Sequence, residues 1–183
     1  IEAIRKKYPN IQLQVDANAS YDLFNIKHLA LLKELDNYNL LMIEQPGLND
    51  DIYYHAKQLK HLSTPICLDE SITSIIQTKQ AIEFWEQHST LDKLIINIKP
   101  ARVGGYLEAI RIANLCAANN IKTWCGGMYE SGLGKTMNII LSSRSEFNLP
   151  GDHVSIAPYF LNDEYPFTKY KDGYFNVPTT IGA

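Results

Sequence analysis

The chain has 183 residues, enough for one domain with a hydrophobic core, since about 100–200 residues form a typical domain. With 45% hydrophobic and 20% charged residues, the composition excludes intrinsic disorder. A formal net charge of −3, without a basic stripe, argues against a nucleic-acid partner. The longest aliphatic runs are far shorter than the ~20 residues of a transmembrane helix, so no membrane partner is expected. Cys67, Cys116 and Cys125 show no C-x-x-C spacing, which favours reduced thiols in a cytoplasmic protein.

Short apolar strands alternate with amphipathic helices along the whole chain. Strands are predicted at residues 11–15, 40–43, 66–68, 94–98, 122–125 and 147–149. Helices are predicted at residues 1–8, 26–35, 51–62, 74–87, 105–119 and 133–145. This alternation predicts an α/β fold with a parallel sheet, and both an open doubly wound sheet and a closed (β/α) barrel fit it.

The composition changes near the end of the chain, where aromatic residues become frequent. Residues 1–157 are predicted to form the α/β domain, and residues 158–183 an aromatic tail. Within the tail, Lys171-Asp172-Gly173 predicts a hairpin turn.

Charged residues follow four successive predicted strands. Asp16, Glu44, Asp69 and Lys99 are separated by about 25 to 30 residues, roughly one strand–helix unit each time. A charge directly beyond a buried strand is costly unless it is paired or points into a site. In a barrel these strand ends converge, and three carboxylates there would suit Mg²⁺, leaving Lys99 as a catalytic base. Any single Asp could instead be a helix N-cap, but the ordered set favours a site.

These motifs carry a resemblance to a known family. The residues concerned are Asp16-Ala17-Asn18, Glu44-Gln45-Pro46, Asp69-Glu70-Ser71, Asn97-Ile98-Lys99-Pro100 and Gly126-Gly127-Met128-Tyr129-Glu130-Ser131-Gly132. Together they resemble the enolase superfamily and, within its muconate-lactonising subgroup, the o-succinylbenzoate synthase and N-acylamino-acid racemase family. The resemblance implies a partial (β/α) TIM-type barrel like the enolase C-terminal domain.

The resemblance also implies a chemistry. Asp16, Glu44 and Asp69 would bind Mg²⁺, with Mn²⁺ as a substitute, and Lys99 would act on a small-molecule carboxylate from which a proton α to the carboxylate is removed. Substrate binding is expected from Asn18 and from the turn residues Gly127, Met128, Tyr129 and Ser131. The leading expectation is a lyase, the o-succinylbenzoate synthase dehydration of menaquinone biosynthesis. The alternative is racemisation of N-acylated amino acids.

Part of the family pattern is absent from the 183 residues. A K-x-K motif is expected about 25 residues upstream of Asp16, where only 15 residues precede it. We therefore expect the first barrel strands and an N-terminal capping domain to be missing, with the aromatic tail packing against that cap. A fragment of this kind is expected to be inactive by itself, and a catalytically inactive pseudo-enzyme stays open as a further alternative. The sequence is compatible with a homo-oligomer.

Overall fold

The computed structural model describes residues 1–153 and 171–179. Its strands are β1 (Val15–Asp16), β2 (Ile43–Glu44), β3 (Ile66–Leu68), β4 (Leu94–Ile98) and β5 (Lys122–Cys125). Its α-helices are α1 (Glu2–Lys7), α2 (Ile26–Glu34), α3 (Ile52–Leu59), α4 (Ile75–Gln87), α5 (Pro100–Val103), α6 (Tyr106–Ala118) and α7 (Gly132–Ser142). Short 3₁₀ helices cover Leu35–Tyr38 and Leu91–Lys93. Strands and helices alternate as the sequence predicts.

The strands form one sheet in the order β1-β2-β3-β4-β5, so each strand neighbours the next along the chain. The pairs β1–β2, β2–β3 and β3–β4 are parallel, with Asp16 opposite Glu44 and Glu44 opposite Cys67. Because consecutive parallel strands need a crossover, a helix follows each of the first three strands. The carboxyl ends of these strands consequently lie at the same edge of the sheet.

The chain divides into two compact units, residues 1–96 and 97–183. In the first unit, β3 is buried at every position, and Leu32, Ile43 and Ile82 lie in the core. Strands covered on both faces are continuously apolar, as Ile66-Cys67-Leu68 is. Ser74 begins α4 by accepting a hydrogen bond from Ile76 N, which is a standard N-cap contact.

In the second unit, β5 packs with α6 and α7. Ala109, Ile112 and Cys116 form the buried face of α6, and Trp124 and Cys125 are buried in β5. All three cysteines of the chain are buried and reduced, as the sequence predicts.

Three predicted strands differ from the structure, and the one expected at residues 40–43 is instead Ile43–Glu44. The first spans Val15–Asp16 instead of residues 11–15, and Ile11 is exposed. Residues 147–149 form no strand although both Asn148 N and Leu149 N donate to Thr123 O. The Asn148 side chain explains this, because its Oδ1 accepts from Thr123 N at 3.1 Å in place of a backbone carbonyl.

The hairpin turn predicted near the end of the chain is confirmed. Lys171 and Tyr174 exchange two backbone hydrogen bonds of 2.9 Å. Asp172 and Gly173 between them both have positive φ, 52° and 90°, as a type I′ turn requires. The rest of the predicted aromatic tail lies largely outside the described residues. Within the described residues, no helix is long and apolar enough to cross a membrane.

Candidate active site

The three predicted metal ligands lie at the carboxyl ends of three adjacent parallel strands. Asp16 and Glu44 are the last residues of β1 and β2, in register with each other, and Asp69 directly follows β3. Glu44 and Asp69 are only 3% and 2% exposed, respectively. Asp16 is exposed, and its Oδ1 accepts a hydrogen bond from Asn18 N at 2.9 Å. Two buried carboxylates at neighbouring strand ends are the strongest local sign of a site.

The loops after β1 and β2 have an unusual backbone. Asn18, Ala19 and Gln45 have φ values of 45°, 57° and 35°, a region that residues other than glycine adopt rarely. The two loops continue the pairing of their strands, since Ala17 N donates to Glu44 O at 2.9 Å and Ala19 N to Gln45 O at 2.7 Å. Such strained positions cluster at functional sites.

The carboxamide of Gln45 joins the loops after β2 and β3. It is fully buried, and its Oε1 accepts from Asp69 N at 2.9 Å and Ser71 N at 3.2 Å. Its Nε2 donates to Gly47 O at 3.0 Å and Ser71 Oγ at 2.8 Å. All four hydrogen-bonding positions of the amide are therefore used.

A buried histidine contacts the loop after β2. His55, on α3, accepts a hydrogen bond from Gly47 N at its Nε2, and its Nδ1 lies 2.9 Å from Asp51 O. Because Nε2 accepts, the ring is the neutral tautomer with its proton on Nδ1. Burial lowers the pKa of His55 against the opposing effects of the Asp51 carbonyl and carboxylate.

The donor set at these strand ends suits a hard divalent cation in kind. Asp16, Glu44 and Asp69 offer carboxylate oxygens, which are the ligands Mg²⁺ prefers. Within residues 1–153 and 171–179, however, no three Asp, Glu, His or Cys side chains are gathered closely enough to hold a metal ion. The ligand assignment therefore stays a prediction that rests on placement at the strand ends.

In the second unit, Lys99 directly follows β4 and precedes α5. Its backbone carbonyl accepts hydrogen bonds from Arg102 N and Val103 N. A Cβ at Gly126, just beyond β5, would lie 2.8 Å from both Lys99 Cε and Asn97 Nδ2. The absence of a side chain at residue 126 thus leaves the space through which the Lys99 side chain runs.

The turn predicted to bind substrate follows Gly126. Met128 and Tyr129 are 52% and 79% exposed, whereas Gly127 and Ser131 are half-buried, and Ser131 is the N-cap residue of α7. Glu130 organises the turn, since its Oε1 accepts from Met128 N at 2.6 Å and Asn138 Nδ2 at 3.3 Å.

A tyrosine extends this network from α6. Tyr106 OH donates to Asn138 Oδ1 at 3.0 Å and lies 3.2 Å from Gly134 O. The pKa of Tyr106 is raised to about 12, mainly by burial and to a smaller extent by the nearby Cys125 and Glu130. The phenol therefore stays a neutral donor and fixes the Asn138 amide that holds Glu130.

Comparison with known proteins decides the family. A family model described as "Enolase C-terminal domain-like" matches residues 1–183. The chain belongs to the enolase C-terminal domain-like family. The predicted α/β fold of this type is thereby confirmed.

Two curated relatives and one solved structure show which members of the enolase superfamily the chain is similar to. The chain is 44% identical over 183 residues to the o-succinylbenzoate synthase of Bacillus subtilis, covering 100% of this chain and 47% of the relative. It is 42% identical over 184 residues to the N-succinylamino acid racemase of an Amycolatopsis species, again covering 100% of this chain and 47% of the relative. A solved enolase superfamily member from Listeria innocua aligns with a TM-score of 0.86 and 44% identity, over 97% of this chain and 46% of that one. The chain spans about half the length of the curated relatives it matches.

Several residues of this enolase-type site were not assigned roles from the sequence. Gln45 and Ser71 stand inside motifs quoted for the resemblance, but their side-chain contacts depend on a loop geometry that local patterns do not specify. Gly126 carried a detectable signal, because a glycine at the end of a buried strand often marks a close approach.

Proposed function

We propose that this chain supplies the metal-binding residues and the charge-stabilising lysine of an o-succinylbenzoate synthase. The observation that carries the proposal is the 44% identity to such an enzyme across the entire chain. The two buried carboxylates, Glu44 and Asp69, at adjacent strand ends support it, because buried carboxylates without a role are rare.

In this proposal Asp16, Glu44 and Asp69 hold Mg²⁺, or Mn²⁺ as a substitute. The bound cation supplies Lewis acidity toward the substrate carboxylate. Lys99 presents its ammonium group to the substrate and stabilises negative charge that develops when the α proton leaves. The lysine of the K-x-K motif expected upstream of Asp16 takes the α proton and returns a proton to the departing β-hydroxyl, which leaves as water and completes the dehydration. Asn18 and the turn residues Gly127, Met128, Tyr129 and Ser131 contact the remainder of the small-molecule substrate.

Racemisation of N-succinylated amino acids is the second candidate function. The 42% identity to an N-succinylamino acid racemase favours it, since both relatives match the chain over its full length. In this case Lys99 exchanges the α proton on one face of the substrate. The lysine of the K-x-K motif expected upstream of Asp16 exchanges it on the opposite face, so that one lysine takes the proton while the other delivers one, and the configuration inverts.

The test assays the full natural protein containing these residues for both reactions, with and without Mg²⁺. Dehydration that requires Mg²⁺ and is abolished in a Lys99→Ala variant supports the synthase proposal. Robust racemisation without detectable dehydration would replace it by the second candidate. If the Lys99→Ala variant retains both activities, Lys99 has no catalytic role in either reaction. The isolated 183-residue chain is expected to be inactive, and a full protein inactive in both assays would identify a pseudo-enzyme.

A further inference from the structure

The backbone hydrogen bonding between β2 and β3 changes at Gln45, the residue that directly follows β2. Gln45 N donates to Cys67 O at 2.8 Å, as in a regular parallel pair. The next bond of such a pair would run from Asp69 N to the backbone carbonyl of Gln45. Instead, Asp69 N donates to the side-chain Oε1 of Gln45 at 2.9 Å. The side chain thus takes the place of the backbone carbonyl.

The left-handed backbone of Gln45 explains the replacement. With φ at 35°, its carbonyl turns away from β3 and accepts from Ala19 N, in the loop after β1, at 2.7 Å. A single residue therefore contacts the ends of three strands: β1 through its carbonyl, β2 through the chain itself, and β3 through its carboxamide. Those are the three strand ends that carry Asp16, Glu44 and Asp69.

The orientation of the carboxamide is determined by its neighbours. Asp69 N and Ser71 N are backbone donors, so only the amide oxygen can face them. The amide nitrogen then faces Gly47 O and Ser71 Oγ, as observed. A buried network with every group satisfied rigidifies the segments that it joins.

We propose that Gln45 is a positioning residue that sets the spacing of the Glu44 and Asp69 carboxylates, and with them the Asp16 loop, for cation binding. The part that concerns the cation rests on the function proposed above. Gln45 itself makes no contact with the cation. Removing an outer partner that orients metal ligands typically weakens metal binding by about 10–100-fold.

The test uses Gln45→Asn and Gln45→Met in the full natural protein, with Mg²⁺ affinity measured by isothermal titration calorimetry at a temperature where all variants are folded. Asn adopts positive φ more readily than Gln but is one methylene too short to reach Asp69 N. We expect both variants to bind Mg²⁺ at least tenfold more weakly. Wild-type affinity in Gln45→Asn would overturn the proposal, because it would show that only the backbone conformation matters. Gln80→Asn, on the exposed face of α4, is the matched control and should leave affinity unchanged.

Amide hydrogen exchange supplies a readout that needs no metal. In both Gln45 variants the Asp69 and Ser71 amides should exchange at least tenfold faster, while those of Ile66–Leu68 stay protected. Unchanged exchange at Asp69 and Ser71 would overturn the positioning role. If wild-type protein binds no Mg²⁺ yet exchange accelerates as expected, the proposed function fails while Gln45 is still shown to fix the strand ends. Faster exchange with unchanged Mg²⁺ affinity would overturn the link to the cation.

Discussion

At the scale of single residues, the two units depend on contacts that admit little substitution. Gly126 leaves space for the side chains of Asn97 and Lys99. The Asp36 carboxylate accepts a hydrogen bond from Thr64 N, shortly before β3 begins. The carboxylates at the strand ends could be predicted from the sequence, because their spacing and residue type are local information. The role of Gln45 could not, since it depends on a φ of 35° and on partners 24 and 26 residues away.

Gly126→Ala should lower the free energy of unfolding by about 1–3 kcal/mol, because overpacking a filled site costs about that much. The new Cβ would lie 2.8 Å from Lys99 Cε and 2.8 Å from the buried Asn97 amide nitrogen. Gly127→Ala is the matched control, since its nearest contact is a flexible Glu130 carboxylate at 3.3 Å. Urea unfolding of both variants checks the difference, and equal stability losses would contradict the prediction.

Asp36→Ala should destabilise the fold by about 1–3 kcal/mol at neutral pH. The Asp36 carboxylate accepts from Ser63 N, Thr64 N and Thr64 Oγ1 and pairs with Lys33 at 2.6 Å. Burial would raise the pKa of Asp36, but these hydrogen bonds outweigh it and hold the pKa well below its usual 3.8.

The sign of the pH dependence follows from the lowered pKa of Asp36. Above about pH 5 the carboxylate is charged in both the folded and the unfolded state, and its stabilisation is complete. As the pH falls below 3.8, the unfolded chain takes up the proton first, so this stabilisation is lost. Unfolding curves from pH 6 to pH 2.5 should therefore show the gap between wild type and Asp36→Ala shrinking with acidity. A constant gap would refute the assignment, and Glu34→Ala, on an exposed position, serves as the control.

At the scale of elements, the bounds of β3, β4 and β5 could be predicted from the sequence, whereas those of β1 and β2 could not. Residues 66–68, 94–98 and 122–125 match β3, β4 and β5, in which every position except Lys122 is buried. The first strand was overestimated, since alternating apolar residues from Ile11 onward also fit an exposed segment. Helix α5 was missed because it has only four residues, from Pro100 to Val103, and ends at Gly104 with a φ of 94°.

The contact between α3 and the loop after β2 should make stability depend on pH. His55 is held neutral, with a pKa lowered by burial. The unfolded chain therefore binds a proton more readily than the folded one, and stability should fall as the pH drops below about 6.5. His55→Gln should reduce the dependence of the free energy of unfolding on pH. At pH 8 it should lower that free energy by about 1 kcal/mol through the weakened contact with Gly47 N. Urea unfolding from pH 8 to pH 5 tests it, with His61→Gln at an exposed position as control. Identical slopes in wild type and His55→Gln would be the contrary result.

At the scale of the whole molecule, the chain has an enolase-type fold and spans about half the length of the curated relatives it matches. The family could be inferred from the sequence because its strand-end motifs stand in order along the chain. The division between two compact units at residues 96 and 97 could not be predicted, since it falls within β4, a single strand that is buried at all five positions.

Mg²⁺ should stabilise the full natural protein against unfolding. A ligand that binds only the folded state adds about 2.7 kcal/mol at a concentration one hundred times its Kd. Glu44→Gln removes one of the charged ligands proposed for Mg²⁺ and should abolish most of the Mg²⁺-dependent rise in melting temperature. Glu86→Gln on the exposed face of α4 makes the same chemical change away from the strand ends and should retain the rise. A Glu44→Gln variant that responds to Mg²⁺ as the wild type does would contradict the ligand assignment.

The buried thiols give the molecule a practical property. Burial raises the pKa of Cys116 and of Cys125 to about 12, so neither forms the thiolate that attacks maleimides or iodoacetamides at neutral pH. Cys67, inside β3, is fully shielded from reagents in the folded chain. One cysteine introduced at an exposed site such as Gln80 would therefore accept a fluorophore or spin label selectively, with the three native cysteines left in place.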